Sequence, residues 1–402
     1  LPNTAKKCPD PHQSESPTLS LEKVTLTNFR NYTSAGLEIG AGPVVLFGEN
    51  GSGKTNLLEA LSLLAPGRGL RRAPFADIAR EGAGSDWAVS VRINGPMGQS
   101  DIGTGQEPLG PNPVGEEGQI SRGRKLRVNG NTEKSTKVLG DYARVIWLTP
   151  AMDRLFQGSS GERRRFLDRI VLASDPSHGT RVNAFEAAMR ERNKLLEQRR
   201  GDDSWLTSLE TQMAEQAIAI SAARLDTVTR IAALMEHAQE PSLEAAFPRA
   251  KISIEGVIEE GLKNHSALEV EEQYRKILCD SREADTYAGR ALNGPHKSDL
   301  YVVHMQKNMP AHKCSTGEQK ALLIGIVLAH ARIVQMGFSG YAPLILLDEI
   351  VAHLDETRRQ ALFEQIESLS AQAWMTGTDG DLFDALHNVQ KICVNDGTLS
   401  KA

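Results

Sequence analysis

Gly48-Glu49-Asn50-Gly51-Ser52-Gly53-Lys54-Thr55 fits the pattern G-x-x-x-x-G-K-[ST]. The apolar run 43–47 precedes it and reads as a strand. Leu57, Leu58, Leu61 and Leu64 follow it on one stripe, which predicts a helix from 54 to about 64. That context suits phosphate chemistry. The glycines let the backbone wrap so that successive N–H groups face phosphate oxygens, and the helix N-terminus adds partial positive charge. All eight residues from Gly48 to Thr55 are therefore candidates for holding ATP. Lys54 supplies the cation for the β- and γ-phosphates, and the Thr55 hydroxyl a ligand for Mg²⁺.

A second half of the site lies far along the chain. Leu344-Ile345-Leu346-Leu347-Asp348-Glu349 reads as a strand apolar on both faces, as in a buried parallel sheet. It ends in two carboxylates, where α/β sheets place ligands. Asp348 suits Mg²⁺, and Glu349 suits the polarisation of an attacking water, which makes Lys54, Asp348 and Glu349 the catalytic candidates.

Strands are expected at 21–27, 37–39, 88–93, 125–129 and 143–148. Residues 95–124, rich in Gly, Pro and Glu, read as one long surface loop. From 151 to about 240 the text turns charged and helix-periodic. Strands at 251–254 and 300–304 flank a helix at 270–292. The last quarter returns to α/β, with helices at 316–336 and 356–369 and strands at 344–347 and 373–376. The fold class is thus α/β, interrupted by a helical excursion. Residues 1–20 are polar and Pro-rich, without the apolar core of a secretory signal, and read as a disordered extension.

Composition narrows the partners. The 402 residues are 40% hydrophobic and 24% charged, with no long apolar run that would imply a membrane. Cys8, Cys279, Cys314 and Cys393 are scattered, which fits neither a disulfide framework nor a zinc site and suits a reducing cytoplasm. A net charge of -5 confines any nucleic-acid surface to a local patch. Arginine clusters occur at 68–72, 122–127, 163–165 and 190–200. With aromatics at 5%, contact to a duplex backbone is a better expectation than base stacking. Arg71 and Arg72, just after the phosphate-loop helix, are the preferred DNA pair.

Two further stretches carry a resemblance. Ser315-Thr316-Gly317-Glu318-Gln319 resembles the signature motif of ABC-type ATPases, and Ala352-His353-Leu354-Asp355 resembles their D-loop. Within that superfamily the chain is most similar to the RecF family. The likeness is carried by 26–32 (LTNFRNY), 48–61 (GENGSGKTNLLEAL), 148–168 with its RRRFLD ending, and 294–300 (GPHKSDL). The resemblance implies an ABC-type P-loop ATPase head at 21–150 and 290–395, with an inserted, mostly helical second lobe at 151–289. It adds Arg30, Asn31, Ser315, Gly317 and Asp355 to the nucleotide set. It also implies an ATP-bound homodimer in which each signature helix covers the γ-phosphate held by the other copy. Weak, DNA-dependent ATP hydrolysis on duplex or gapped DNA follows from it, as do recombination-mediator partner proteins, recombinase loading and the SOS response.

The sequence departs from the ATPase pattern in places. No Gln stands directly after the 143–148 strand, leaving Thr149 to Asp153 as substitutes. No His follows the 373–376 strand, where Thr376, Thr378 and Asp379 are the polar candidates. Two other readings are a transporter-type ATPase subunit and a small SMC-like DNA tether. The second lacks a heptad run long enough for a coiled-coil rod.

Overall fold

The computed structural model describes residues 17–106, 123–198, 203–237 and 246–402. Its centre is a six-stranded sheet in the order Thr398–Lys401, Gln390–Asn395, Val44–Phe47, Ala373–Gly377, Leu344–Leu347, Val145–Leu148. All neighbours run parallel except the terminal 398–401 strand. Leu344–Leu347 and Val145–Leu148 are buried at every position, as expected of strands covered on both faces. The strand preceding the phosphate loop and the strand ending in Asp348 are separated by one strand, 373–377, so three strand ends converge on one point.

A second, antiparallel sheet has the order 32–38, 20–29, 87–95, 98–106, 125–128, 131–133. Its strand Trp87–Gly95 alternates strictly between buried and exposed, because one face packs on the core and the other meets solvent. Gln372, wholly buried, stitches the two sheets together. Its amide accepts from the Leu21 N–H at 2.8 Å and donates to the carbonyls of Leu21 (3.1 Å) and Gly40 (2.8 Å).

Three apolar cores follow from these layers. One lies between the antiparallel sheet and the near face of the central sheet, around Leu57, Leu61, Trp87 and Trp374. On the far face, the helix Thr316–Gly337 packs with Ser160–Ser174 and a small sheet of Ala250–Glu255, Asp299–His304 and Met309–Pro310. The third joins the helices His178–Gln198 and Asp203–His237 to Val257–Asn264 and Ala267–Asp280 through residues such as Phe185, Met213 and Tyr274. Asp203–His237 belongs to two cores: Met213 and Ala217 lie in the third, Val228 and Ile231 in the second. Helix Thr316–Gly337 is long and apolar enough to cross a membrane by length and composition, yet most of it is buried against these neighbours.

Several expectations need correction. The loop expected at 95–124 contains a strand, Gly98–Gln106, paired with Trp87–Gly95 across a two-residue turn. Its buried positions are Ser100, Ile102, Thr104 and Gln106, so the period-two signal was carried mostly by polar residues. A Cβ at Gly105 would stand 2.3 Å from the Trp87 carbonyl oxygen, which explains one glycine of that stretch. Residues 107–122 lie outside the described residues, as does most of the extension expected at 1–20. Leu19 is buried and Ser20 begins a strand, so the end of the stretch expected to be disordered belongs to the fold. The helix expected at 270–292 is two helices, Ala267–Asp280 and Arg282–Ala288, preceded by Val257–Asn264. Ser281 interrupts it, and Gly289, at a φ of 66°, ends it. Strands 390–395 and 398–401 lie beyond the expected set, although the Asp396-Gly397 turn between them is a strong hairpin signal.

Candidate functional site

The phosphate loop is shaped by backbone that only glycine adopts freely. Gly48, Gly51 and Gly53 have φ of 143°, 85° and 117°. A Cβ on Gly53 would stand 2.6 Å from Asn31 Nδ2 and 2.9 Å from the Tyr32 hydroxyl. Those neighbours hold the loop from behind: Tyr32 Oη donates to the Gly53 carbonyl at 3.0 Å, and Asn31 Nδ2 to the Ser52 carbonyl at 3.0 Å. Both come from the hairpin turn after Ser20–Phe29. There Arg30 adopts a φ of 54°, a left-handed conformation that costs a non-glycine residue energy. Arg30 forms a two-pronged bond to Glu59 (2.8 and 2.6 Å), a wholly buried carboxylate on the phosphate-loop helix Lys54–Ser62. Arg30 and Asn31 thus brace the loop.

Inside the loop, polar groups are left unengaged. No hydrogen bond among the described residues involves the N–H groups of Gly51, Gly53 or Lys54, and the buried Ser52 Oγ has no partner. Lys54 Nζ donates to the carbonyls of Gly48 (2.7 Å) and Glu49 (2.8 Å). Burial pulls its ammonium below the ordinary lysine value, opposed by the nearby Glu349 and Asp348. A ring of donors around a desolvated cation fits a polyphosphate.

The two distant motifs meet through hydroxyls. Thr55 Oγ1 donates to Asp348 Oδ1 at 2.8 Å, and Thr376 Oγ1 donates to the same oxygen at 3.0 Å. Thr376 Oγ1 also accepts from the Glu349 N–H at 2.8 Å. Burial raises the Asp348 carboxyl above its ordinary value, and the two hydroxyl bonds counter it. Glu349 stands in the left-handed region at a φ of 53°, a strained placement directly after the buried strand. Among the described residues no three His, Cys, Asp or Glu side chains group as a metal cage. The Thr55 hydroxyl and the Asp348 carboxylate are instead the hard oxygen donors that suit Mg²⁺, which commonly takes one or two protein oxygens and completes its shell with phosphate and water. Of the polar candidates Thr376, Thr378 and Asp379, Thr376, within the 373–377 strand, is the one bonded to the Asp348 carboxylate and the Glu349 N–H.

The signature residues lie apart from this cluster. No hydrogen bond or ion pair among the described residues joins Ser315, Gly317 or Asp355 to the phosphate loop. Ser315 caps helix Thr316–Gly337 in a reciprocal box with Glu318: its hydroxyl donates to Glu318 Oε2 at 2.9 Å, and the Glu318 N–H returns a bond at 3.4 Å. Lys307 pairs with Glu318 and, with Ser315, holds its carboxyl down at about 2. Asp355 caps the following helix, Glu356–Ser368, by accepting from the Arg358 N–H at 2.9 Å. Asp153, in the stretch that stands where a Gln was expected, reaches Lys320 on the signature helix at 3.4 Å.

The family stretches without obvious chemistry turn out to clasp one another. Arg163 makes a two-pronged bond to Asp299 (2.7 and 2.6 Å), and Arg164 donates to the Ser298 carbonyl at 2.8 Å. Asp168 receives Arg224 on both oxygens, and Arg224 also donates to the Pro295 carbonyl at 2.7 Å. His178, fully buried, completes the group at 2.8 Å from Asp168. Residues 163–168 and 294–300 therefore form one partly buried joint at the root of the helices. Arg71 is likewise committed, to Glu59 (2.8 Å) and Asn56 (2.6 Å), whereas Arg72 is exposed.

A family model described as the RecF/RecN/SMC N-terminal domain matches residues 20–401. The DNA replication and repair protein RecF of Mesorhizobium japonicum is 51% identical over 381 residues, covering 94% of this chain and 97% of that one. Among solved structures, the recombination mediator protein RecF with ATP, of the RecFOR pathway, has a TM-score of 0.80 at 21% identity, covering 97% of this chain and 100% of that one. An Smc head domain from Pyrococcus furiosus has a TM-score of 0.51 at 15% identity, covering 96% of each chain. The last two likenesses show a common ATPase-head fold, and the identity across nearly the full length shows more: this chain belongs to the RecF family.

Proposed function

We propose that this chain is an ATP-gated DNA-binding ATPase of replication and recombinational repair, which closes as a homodimer when Mg²⁺–ATP is bound. The carrying observation is the hydroxyl bridge from Thr55 through Asp348 and Thr376 to Glu349, which gathers a phosphate loop, a metal-ligand pair and a base at three adjacent strand ends. The loop N–H groups and Lys54 would hold the phosphates. Bound Mg²⁺, held by Thr55 and Asp348, would neutralise charge on the β- and γ-oxygens. Glu349 takes the proton of an in-line water.

The far side of the γ-phosphate is left to a second copy. Within one chain Ser315 and Gly317 stay clear of the phosphate loop, and an isologous dimer brings each copy's signature helix to the other's nucleotide. The names of the relatives favour DNA repair over a transporter-type or SMC-like tethering role. Slow, DNA-dependent turnover, recombination-mediator partners, a cytoplasmic location and a helical second lobe at 151–289 complete this reading.

Two variants test it. Lys54→Met should weaken ATP binding at least tenfold, about 1.4 kcal/mol, in a fluorescent-nucleotide titration. Ser315→Arg should bind ATP normally as a monomer and fail to dimerise or hydrolyse it. Mixing the two should restore part of the activity in proportion to heterodimer, because one composite site is then intact. Wild-type hydrolysis by Ser315→Arg alone would refute the shared site.

A further inference from the structure

Several arginines of the clusters that made the sequence look suited to DNA, and others outside them, are spent internally. Arg30 and Arg71 hold Glu59, Arg163 holds Asp299, Arg224 holds Asp168, and the buried Arg192 holds Glu210 and Asp285. Arg124 lies under the end of the phosphate-loop helix and donates to the carbonyls of Leu63, Ala65 and Gly67. Four others, Arg68, Arg72, Arg154 and Arg165, are exposed and make no side-chain hydrogen bond or ion pair among the described residues. They come from three separate segments, yet all four line one open groove of about 1000 Å³.

The groove's wall carries a fifth cation. Arg169 lies over the rings of Trp147 (4.9 Å) and Phe166 (5.2 Å), and among the described residues its side chain hydrogen-bonds only Met152 Sδ, at 3.2 Å. Desolvation and the nearby Arg72 pull this guanidinium down to about 9, so a bound anion would relieve it. The carboxylates lining the same groove are already engaged. Asp168 is held by Arg224 and His178, Glu162 by the cap at Ser159, and Glu186 by Arg190. The capped Glu162 stays charged beside Arg165, but the five arginines outnumber it, so the groove is positive on balance. Gly69 fixes one rim: it turns at a φ of 69°, and a Cβ there would stand 2.7 Å from Ser62 Oγ.

We infer that this groove, between the loop after the phosphate-loop helix and the helix Ser160–Ser174, seats the phosphodiester backbone of duplex DNA. The inference rests on the DNA-binding reading above and assigns it a surface. Planar guanidinium groups on separate segments suit successive phosphates. Arg169 covers the faces of Trp147 and Phe166, leaving no ring free to stack a base, so the contact reads backbone and not sequence. An acidic polypeptide is the competing occupant.

The experiment is fluorescence anisotropy of the full chain with a labelled duplex, across a salt series with ATP present. Arg68→Glu combined with Arg165→Glu should weaken binding and lower the slope of log K against log salt by about 1.8, since each lost phosphate contact removes about 0.9. Arg72→Glu combined with Arg154→Glu should do the same. Lysine at all four positions should restore most of the slope, which a folding defect would not allow, and Arg230→Glu on the long helix should leave it unchanged. ATP affinity should stay at the wild-type value throughout. If the wild type binds duplex and the variants keep its slope, the groove assignment is wrong while the broader reading stands. If the wild type binds no duplex with ATP, the DNA reading itself fails. If poly-glutamate binds as tightly as duplex and is lost with the same variants, the groove serves a protein partner and the inference is overturned.

Discussion

Two polar clusters in this chain are built from the same kinds of residue and finished differently. In the third core, Arg192 is fully buried and bonded to Glu210 (2.9 Å), Asp285 (2.7 Å) and the Leu278 carbonyl (2.6 Å). Asp285 in turn accepts from Ser281 and from the Leu292 N–H. In the nucleotide site, Lys54 has only carbonyls, Ser52 Oγ has nothing, and the Asp348 carboxylate is held by two hydroxyls alone. The first cluster is closed and fixes four helices in one arrangement. The second keeps donors and charge in reserve for a ligand, and left-handed residues at Arg30 and Glu349 mark the strain of holding it open. A fully satisfied buried network rigidifies, whereas a partly satisfied one needs something to complete it.

The contrast predicts that chemistry and stability separate by cluster. Glu349→Gln should slow ATP hydrolysis by about 10²–10⁴ while leaving nucleotide affinity and the unfolding midpoint near wild type. Turnover at the wild-type rate would reduce Glu349 to a structural residue. Arg192→Met should do the reverse. It leaves Asp285 buried without its cation, so chemical denaturation should show a loss of about 3 kcal/mol, with little change in ATP affinity. A loss of nucleotide binding in that variant would mean the clusters are coupled.

Tyr32→Phe probes the border between the two designs, because its hydroxyl holds the phosphate loop from the core side. Removing one buried hydrogen bond should cost about 1 kcal/mol in stability, together with a measurable loss of ATP affinity. Unchanged affinity would show that Asn31 suffices to hold the loop.

The smallest effect concerns the signature cap. Lys307 and the Ser315 bonds hold the Glu318 carboxyl at about 2 against an ordinary 4.5. A carboxylate depressed on folding stabilises above its unfolded value, and that contribution is lost as pH falls through its folded value. The stability gap between wild type and Glu318→Gln should therefore be full above about pH 4.5 and close progressively towards pH 2. A gap independent of pH would assign the cap to the hydrogen bonds alone.

The nucleotide half of the site was legible because its chemistry is local. Three glycines, a lysine and a threonine within eight residues specify their own backbone, and an apolar strand ending in Asp348-Glu349 specifies its place in a sheet. The helical excursion was legible from its period. Tertiary structure alone decided the rest. Gly98–Gln106 became a strand because its polar alternate positions are buried against a neighbour, which no apolar pattern announced. Thr376 became the link between Asp348 and Glu349 because the 373–377 strand lies between two others in space. Each arginine's fate, whether paired, capping or free in the groove, depended on carboxylates and carbonyls up to 136 residues away, as for Arg163 with Asp299. Sequence fixes charge and backbone preference within a few residues; which charges cancel is settled only where distant segments pack together, since burial and opposite charge act through distance in space.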